Sequence, residues 1–268
     1  MVSNTKSDRV TIGPLPLTTT LQALLDEEHH RTTGAQERLG TIVPIAQQGL
    51  AILNTSVVSV AANNGVMAAF MLAIQKSVTL AFLSYIRAHT AQAEFNCRQA
   101  IEFTALAAYV LANPAVELLD YSEPNNPIFV SAQKLREKAY KWLKAQEPEL
   151  NRLLKDFKDS INDSTAHASI YVTHLTVEID SLTDNSDVFM GSFFDNLGLN
   201  ESRAFLMSFC RLVVLIVETM RRANEISNGI GMKEGLEQEI YLYASIVDGY
   251  REALGEAMRR DKEAASPV

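Results

Sequence analysis

The chain has 268 residues, 47% of them apolar, enough for one large domain or two small ones with an ordinary buried core. A formal charge of -8, from 24 basic and 32 acidic residues, excludes coating of nucleic acid by the whole surface but leaves room for a local basic face. Only two cysteines occur, Cys97 and Cys210, which excludes a disulfide framework or zinc knuckle; each lies in an apolar helical run, where a thiol behaves as a small hydrophobe.

Met1 to Arg9 lacks the apolar core of a secretory leader, so a cytoplasmic location is expected. Residues 1–14 read as a flexible tail, 15–262 as a single helical-bundle domain, and 263–268 as a second tail. Leu17 to Arg38 reads as one or two polar helices. Leu39 to Gln75 carries no charge, yet Pro44, Gln47, Gln48, Asn54, Asn63, Asn64 and Gly65 interrupt it. Its longest clean run, Val66 to Ile74, falls short of the roughly 20 residues of a membrane span, so buried core helices and no membrane partner are expected.

A helix or pair of helices is predicted from Ile42 to Val60, stopped by Asn63-Asn64-Gly65. Val66 to Ala112 follows as one very long helix, or as two joined near Ala88 to Thr90, and Asn113-Pro114 ends it because proline cannot continue the ladder. Arg87, Glu94, Arg98 and Glu102 fall on one narrow arc at about 100° per residue. Arg87 and Glu94 read as solvated. Glu102 is the only charge from Gln99 to Val116, so a poorly solvated carboxylate is expected there, paired with Arg98 and with Arg211, the only charge between Ala204 and Val217.

Glu123 to Pro127 is the clearest loop. Ser131 to Ala145 reads as a surface helix with Leu135, Ala139 and Trp142 on its inner side, and Pro148 opens the next helix as a first-turn proline, running to about Ile161. Lys134, Arg136, Lys138, Lys141, Lys144, Arg152, Lys155 and Lys158 supply eight of the 24 basic residues, whereas Asp159 to Ser202 holds eight carboxylates and no lysine or arginine. This polarisation marks Lys134, Lys138, Lys141 and Lys144 as a candidate nucleic-acid face; the same pattern also describes a plain solvated helix face.

Ser169 to Ile179 is open between two readings. Its β-branched residues favour a strand pairing with Val188 to Phe194, the reading preferred here. As a helix it would instead align Asp163, His167, His174 and Glu178, a set able to hold a transition metal with Glu102 from a facing helix. In the preferred reading no cofactor is expected. Asn200 is the expected N-cap of a helix over Glu201 to Ile226, with Asn228-Gly229 as its stop. In the last helix, Lys233 to Asp261, Leu236, Ile240, Tyr243, Val247, Tyr250, Leu254 and Ala257 repeat four and three apart, the seam of a bundle or of a coiled-coil homodimer. Phosphate-loop, dinucleotide, nucleophile-elbow and His-Glu-x-x-His signatures are all missing. The fold class expected is mostly α: a multi-helix bundle with long central helices and one short β-hairpin near 169–194.

The stretch SYIRAHTAQAEFNCRQAIEFTALAAYVLAN (Ser84 to Asn113), with INDSTAHAS at Ile161 to Ser169 and FFDN at Phe193 to Asn196, resembles the Arg-x-x-x-Glu helix of uncharacterised bacterial families similar to HEPN (higher eukaryotes and prokaryotes nucleotide-binding) bundles. The resemblance covers about half the chain. It implies a bacterial, self-associating bundle of a kind that includes dimeric RNA-cleaving proteins, with a site of Arg98, Glu102, Asn162 and His167. His167 would be the general acid or base, and Arg98 would stabilise phosphate charge. The HEPN nuclease pattern also has an arginine four to six residues before the histidine, where this chain has Ile161 and Asn162 and no arginine. The leading expectation is therefore a non-enzymatic or degenerate binding and self-association module, a homo-oligomer taking RNA or another phosphate-bearing ligand. An RNA-cleaving or metal-dependent enzyme and a purely structural homodimer are the alternatives.

Overall fold

Two apolar helices joined by three residues make the centre of the molecule. α4 (Gly65–Ile86) and α5 (Thr90–Ala112) run antiparallel and pack along their lengths. Contacts between Tyr85 and Cys97 near the junction and between Phe70 and Phe103 far from it fix the pairing. Ala93, Ala100, Ala105, Ala107 and Ala108 of α5 are fully buried, and these small side chains let neighbouring helices approach closely. The computed structural model describes residues 11–12, 20–114, 119–120, 128–129, 132–164, 175, 177–183 and 186–265.

The remaining elements, in chain order, are β1 (Thr11–Ile12), α1 (Leu21–Thr33), α2 (Ala35–Leu39), α3 (Ile42–Thr55), β2 (Val57–Val60), β3 (Leu119–Asp120), β4 (Ile128–Phe129), α6 (Ala132–Gln146), α7 (Pro148–Ser164), β5 (Val177–Thr183), β6 (Ser186–Gly191), α8 (Leu199–Ser227), β7 (Ile230–Met232) and α9 (Leu236–Ala265). The mostly helical bundle expected from the sequence is what forms. α8 lies against α5 and also meets α4, its Phe209 ring 6.0 Å from Phe82 and 6.3 Å from Tyr85 of α4. On the far side of α8 sit α3 and α9, and α6 and α7 cover α5. Leu236, Ile240, Tyr243, Val247 and Leu254 of α9 are buried within the chain, so the heptad-like seam is an internal bundle seam rather than a free coiled-coil face. Where α3 and α9 meet, a side chain at Gly49 would overlap the Tyr243 hydroxyl, with Cζ at 2.8 Å. Cys97 and Cys210 are free and fully buried, and burial pushes both thiols up to about 12, so they stay neutral.

Several boundaries differ from expectation for identifiable reasons. The helix predicted to Val60 ends at Thr55, and the β-branched Val57 to Val60 instead pairs antiparallel with β7, Val60 opposite Ile230. Thr11–Ile12, placed in a flexible tail, pairs in parallel with Val188–Phe189 of β6, and α9 runs past residue 262 to Ala265. α8 starts one residue before Asn200. Its N-cap is Gly198, whose N–H donates to Glu201 Oε2 at 3.0 Å, while Asn200 bonds Asp261 at 2.6 Å. Asn228 does stop α8, in the left-handed conformation at φ 50°. The hairpin is present as β5 and β6, from Val177 opposite Gly191 to Thr183 opposite Ser186; most of the predicted strand before Val177 lies outside the described residues. α4, at mean hydropathy 1.8, is the one described helix long and apolar enough to cross a membrane, despite the interruptions before it; 39% of that apolar stretch is buried inside the protein.

Candidate functional site

α6 is amphipathic because Leu135, Ala139 and Leu143 recur every four residues and are buried, which turns its lysines outward. α7 does the same with Leu150, Leu154 and Ile161. Both therefore dock on α5 with their basic residues near its polar edge. There the Glu102 carboxylate receives cations from three helices: Lys158 Nζ of α7 at 2.9 Å, Arg136 Nη1 of α6 at 3.3 Å and Arg98 Nε of α5 at 3.7 Å. Burial pushes the Glu102 carboxyl up, but the hydrogen bonds and charges of Lys158 and Arg136 outweigh it and hold the carboxyl below its ordinary value. Lys158 also lies 5.1 Å from the centre of the Tyr140 ring. The enclosed Tyr140 hydroxyl has no hydrogen-bond partner among the described residues, and burial together with the Glu102 charge pushes its ionisation well up.

The expected arrangement is thus corrected in three respects. Glu102 is half-buried, its side chain 22% exposed, whereas Glu94, read as solvated, is the buried carboxylate at 7%. Arg211 does not join Glu102; it lines a cavity together with Glu94, two turns earlier on α5. Arg87 follows the end of α4 and pairs with Glu28 of α1 at 3.1 Å, so it belongs to no stripe with Glu94. The local sequence around a residue says how apolar a helix is, but the facing helices decide which side is covered.

Asn162 is on α7, one turn beyond Lys158, and its Oδ1 is enclosed with no hydrogen-bond partner among the described residues. His167 lies outside the described residues, as does His174. Asp163 is exposed on α7 and Glu178 belongs to strand β5, so the single helical stripe that would have aligned the metal set does not form. Among the described residues no group of three or more histidine, cysteine or acidic side chains converges as a metal site.

Lys134, Lys138, Lys141 and Lys144 are all exposed, and none has an ion-pair partner among the described residues. They occupy one side of α6 over ~15 Å of helix rise. α7 behaves otherwise. Arg152 is held by Glu149 at 2.6 Å and by Asp156 at 2.9 Å, and Lys155 by Asp159 at 3.8 Å. The one carboxylate of α6, Glu137, receives a hydrogen bond from Gln133 instead. The four α6 lysines are therefore left without an ion-pair partner among the described residues, beside a hub that itself holds three cations to one carboxylate.

A second polar cluster escaped the sequence reading. At the α4–α5 junction, His89 Nε2 is 3.0 Å from Glu28 Oε1, with its ring stacked on Phe194 at 5.4 Å, and Arg31 lies 4.1 Å over the same Phe194. The Thr90 N–H donates to Asp195 Oδ2, and the Asp195 N–H donates to Ala88 O at 2.8 Å. Ala88 is left-handed at φ 62°. The FFDN segment thus clamps the start of α5. The only hint of this was a suspected break near Ala88 to Thr90 and that segment's place in the family resemblance.

Fold and site together define a helical bundle whose α6 lysine face has no ion-pair partner among the described residues. Comparison with protein-family models, with curated proteins and with solved structures finds no match.

Proposed function

We propose that the protein is a non-catalytic, HEPN-like binding module whose α6 lysines hold a phosphate-bearing polymer, RNA foremost. The observation that carries this reading is that Lys134, Lys138, Lys141 and Lys144 are exposed with no carboxylate partner among the described residues, in a chain of net charge -8. A merely solvated helix face tends toward i,i+4 pairing, as on α7; α6 forgoes it, and its free ammonium groups attract polyanions and release counterions on binding. The Arg98, Arg136 and Lys158 cluster at the root of the face adds positive potential.

The experiment is a titration of labelled single-stranded RNA at low salt, followed by fluorescence anisotropy. The intact chain binds, and a Lys138→Ala/Lys141→Ala variant with unchanged thermal unfolding binds several-fold more weakly. Equal binding by the two proteins contradicts the reading.

A further inference from the structure

The outer side of α8 forms one wall of a trough against α7. Phe205, Ser208, Arg211 and Leu215 succeed one another at spacings of three, three and four, which places them on one side of the helix. Leu153, Phe157 and Ile161 of α7 face them across a cavity of about 630 Å³. A second space of about 260 Å³ reaches α9 and shares Leu153, Arg211 and Leu215 with the first, so the two meet at Arg211. The larger one falls in the range of small-ligand sites, ~300–1,000 Å³.

The charges around this trough are unequally occupied. Arg152 is held by Glu149 and Asp156, and Arg251 by Asp248 at 3.3 Å. Arg211 has no hydrogen-bond or ion-pair partner among the described residues. It interrupts a helix whose inward neighbours Phe209, Cys210, Leu212 and Val213 are fully buried, so the packing of α8 does not need a cation there. Arg211 is exposed in a wall where Leu153, Phe157, Phe205 and Leu215 supply apolar surface, while the lining carboxylates Asp156 and Asp248 are taken up by Arg152 and Arg251, so its planar fork is the cation left to recognise an acid bidentately. Glu94, 7% exposed, lies at the inner end.

We propose that this trough binds an organic acid with an apolar body, its acid group paired with Arg211 and its body against Leu153, Phe157, Phe205 and Leu215. The site is separate from the α6 lysine face.

The test titrates the full chain with 8-anilinonaphthalene-1-sulfonate, an anion on an aromatic body. Saturable binding to one site is expected. Arg211→Gln, an exposed change that leaves thermal unfolding unaltered, weakens it about tenfold, the loss expected for one charge-assisted pair. Ser208→Trp, which fills the trough, abolishes it. Dodecanoate and 2-naphthoate as competitors distinguish an acyl from an aryl acid, whereas dodecanol and 2-naphthol, without the charge, do not compete. Absence of saturable binding, equal affinity in Arg211→Gln, or displacement by the alcohols as readily as by the acids overturns the proposal.

Discussion

Two contacts carry testable consequences at the level of single side chains. Gly49 exists as glycine because the Tyr243 hydroxyl occupies the space of a methyl group. Gly49→Ala is expected to cost about 1–3 kcal/mol as overpacking, and part of that loss is recovered when Tyr243→Phe removes the hydroxyl. Denaturant unfolding of the two single variants and the double variant measures the coupling; strictly additive losses contradict the contact. The second contact is Glu102, which gathers Lys158, Arg136 and Arg98. Exposed ion pairs contribute little, but Lys158 is only 19% exposed at its side chain, and losing the carboxylate leaves it poorly compensated. Glu102→Gln is expected to destabilise by about 1–2 kcal/mol, against almost nothing for Glu149→Gln on the exposed side of α7.

At the scale of elements, the α4–α5 junction is held by a carboxylate from a segment 105 residues away in sequence. Asp195 accepts the Thr90 N–H at the start of α5, where an anion also meets the positive end of the helix dipole. Asp195→Ala is expected to cost about 1 kcal/mol and to raise amide exchange over the first turn of α5; exchange unchanged there contradicts the capping role. The helices themselves were legible in the chain because their causes are local: Pro148 opens α7, Asn113-Pro114 closes α5, Asn228 closes α8, and apolar periodicity fills the spans between. β2 was not legible, since Val57 to Val60 becomes a strand only by pairing with Ile230 to Met232, far along the chain. The candidate site divides in the same way. The Arg98–Glu102 pair follows from i,i+4 spacing, while Arg136 and Lys158 reach Glu102 only after α6 and α7 have docked. The lysine face was visible as composition, but that its members are unpaired is a tertiary fact.

For the molecule as a whole, half-buried carboxylates set the response to acid. Glu28, Glu102 and Glu218 each have burial pushing the carboxyl up and their partners outweighing it: the His89 hydrogen bond and the Arg87 charge, Lys158 and Arg136, and Arg221 and Arg222. Each folded value lies below the ordinary 4.5, so in that window the unfolded chain binds more protons. Stability from these groups is complete above 4.5 and is lost as pH falls through the depressed values; thermal unfolding followed from pH 6 downward is expected to show that loss, less steeply in Glu102→Gln. The net charge of -8 also means that any affinity for a polyanion must come from a local face working against the rest of the surface. The most direct measurement is the dependence of RNA affinity on salt. With the four α6 lysines each displacing about one counterion, log affinity is expected to fall against log salt with a slope near -2.8 for single strands, and Lys138→Ala/Lys141→Ala is expected to halve that slope. A slope near zero, or one that the double substitution leaves unchanged, contradicts the account.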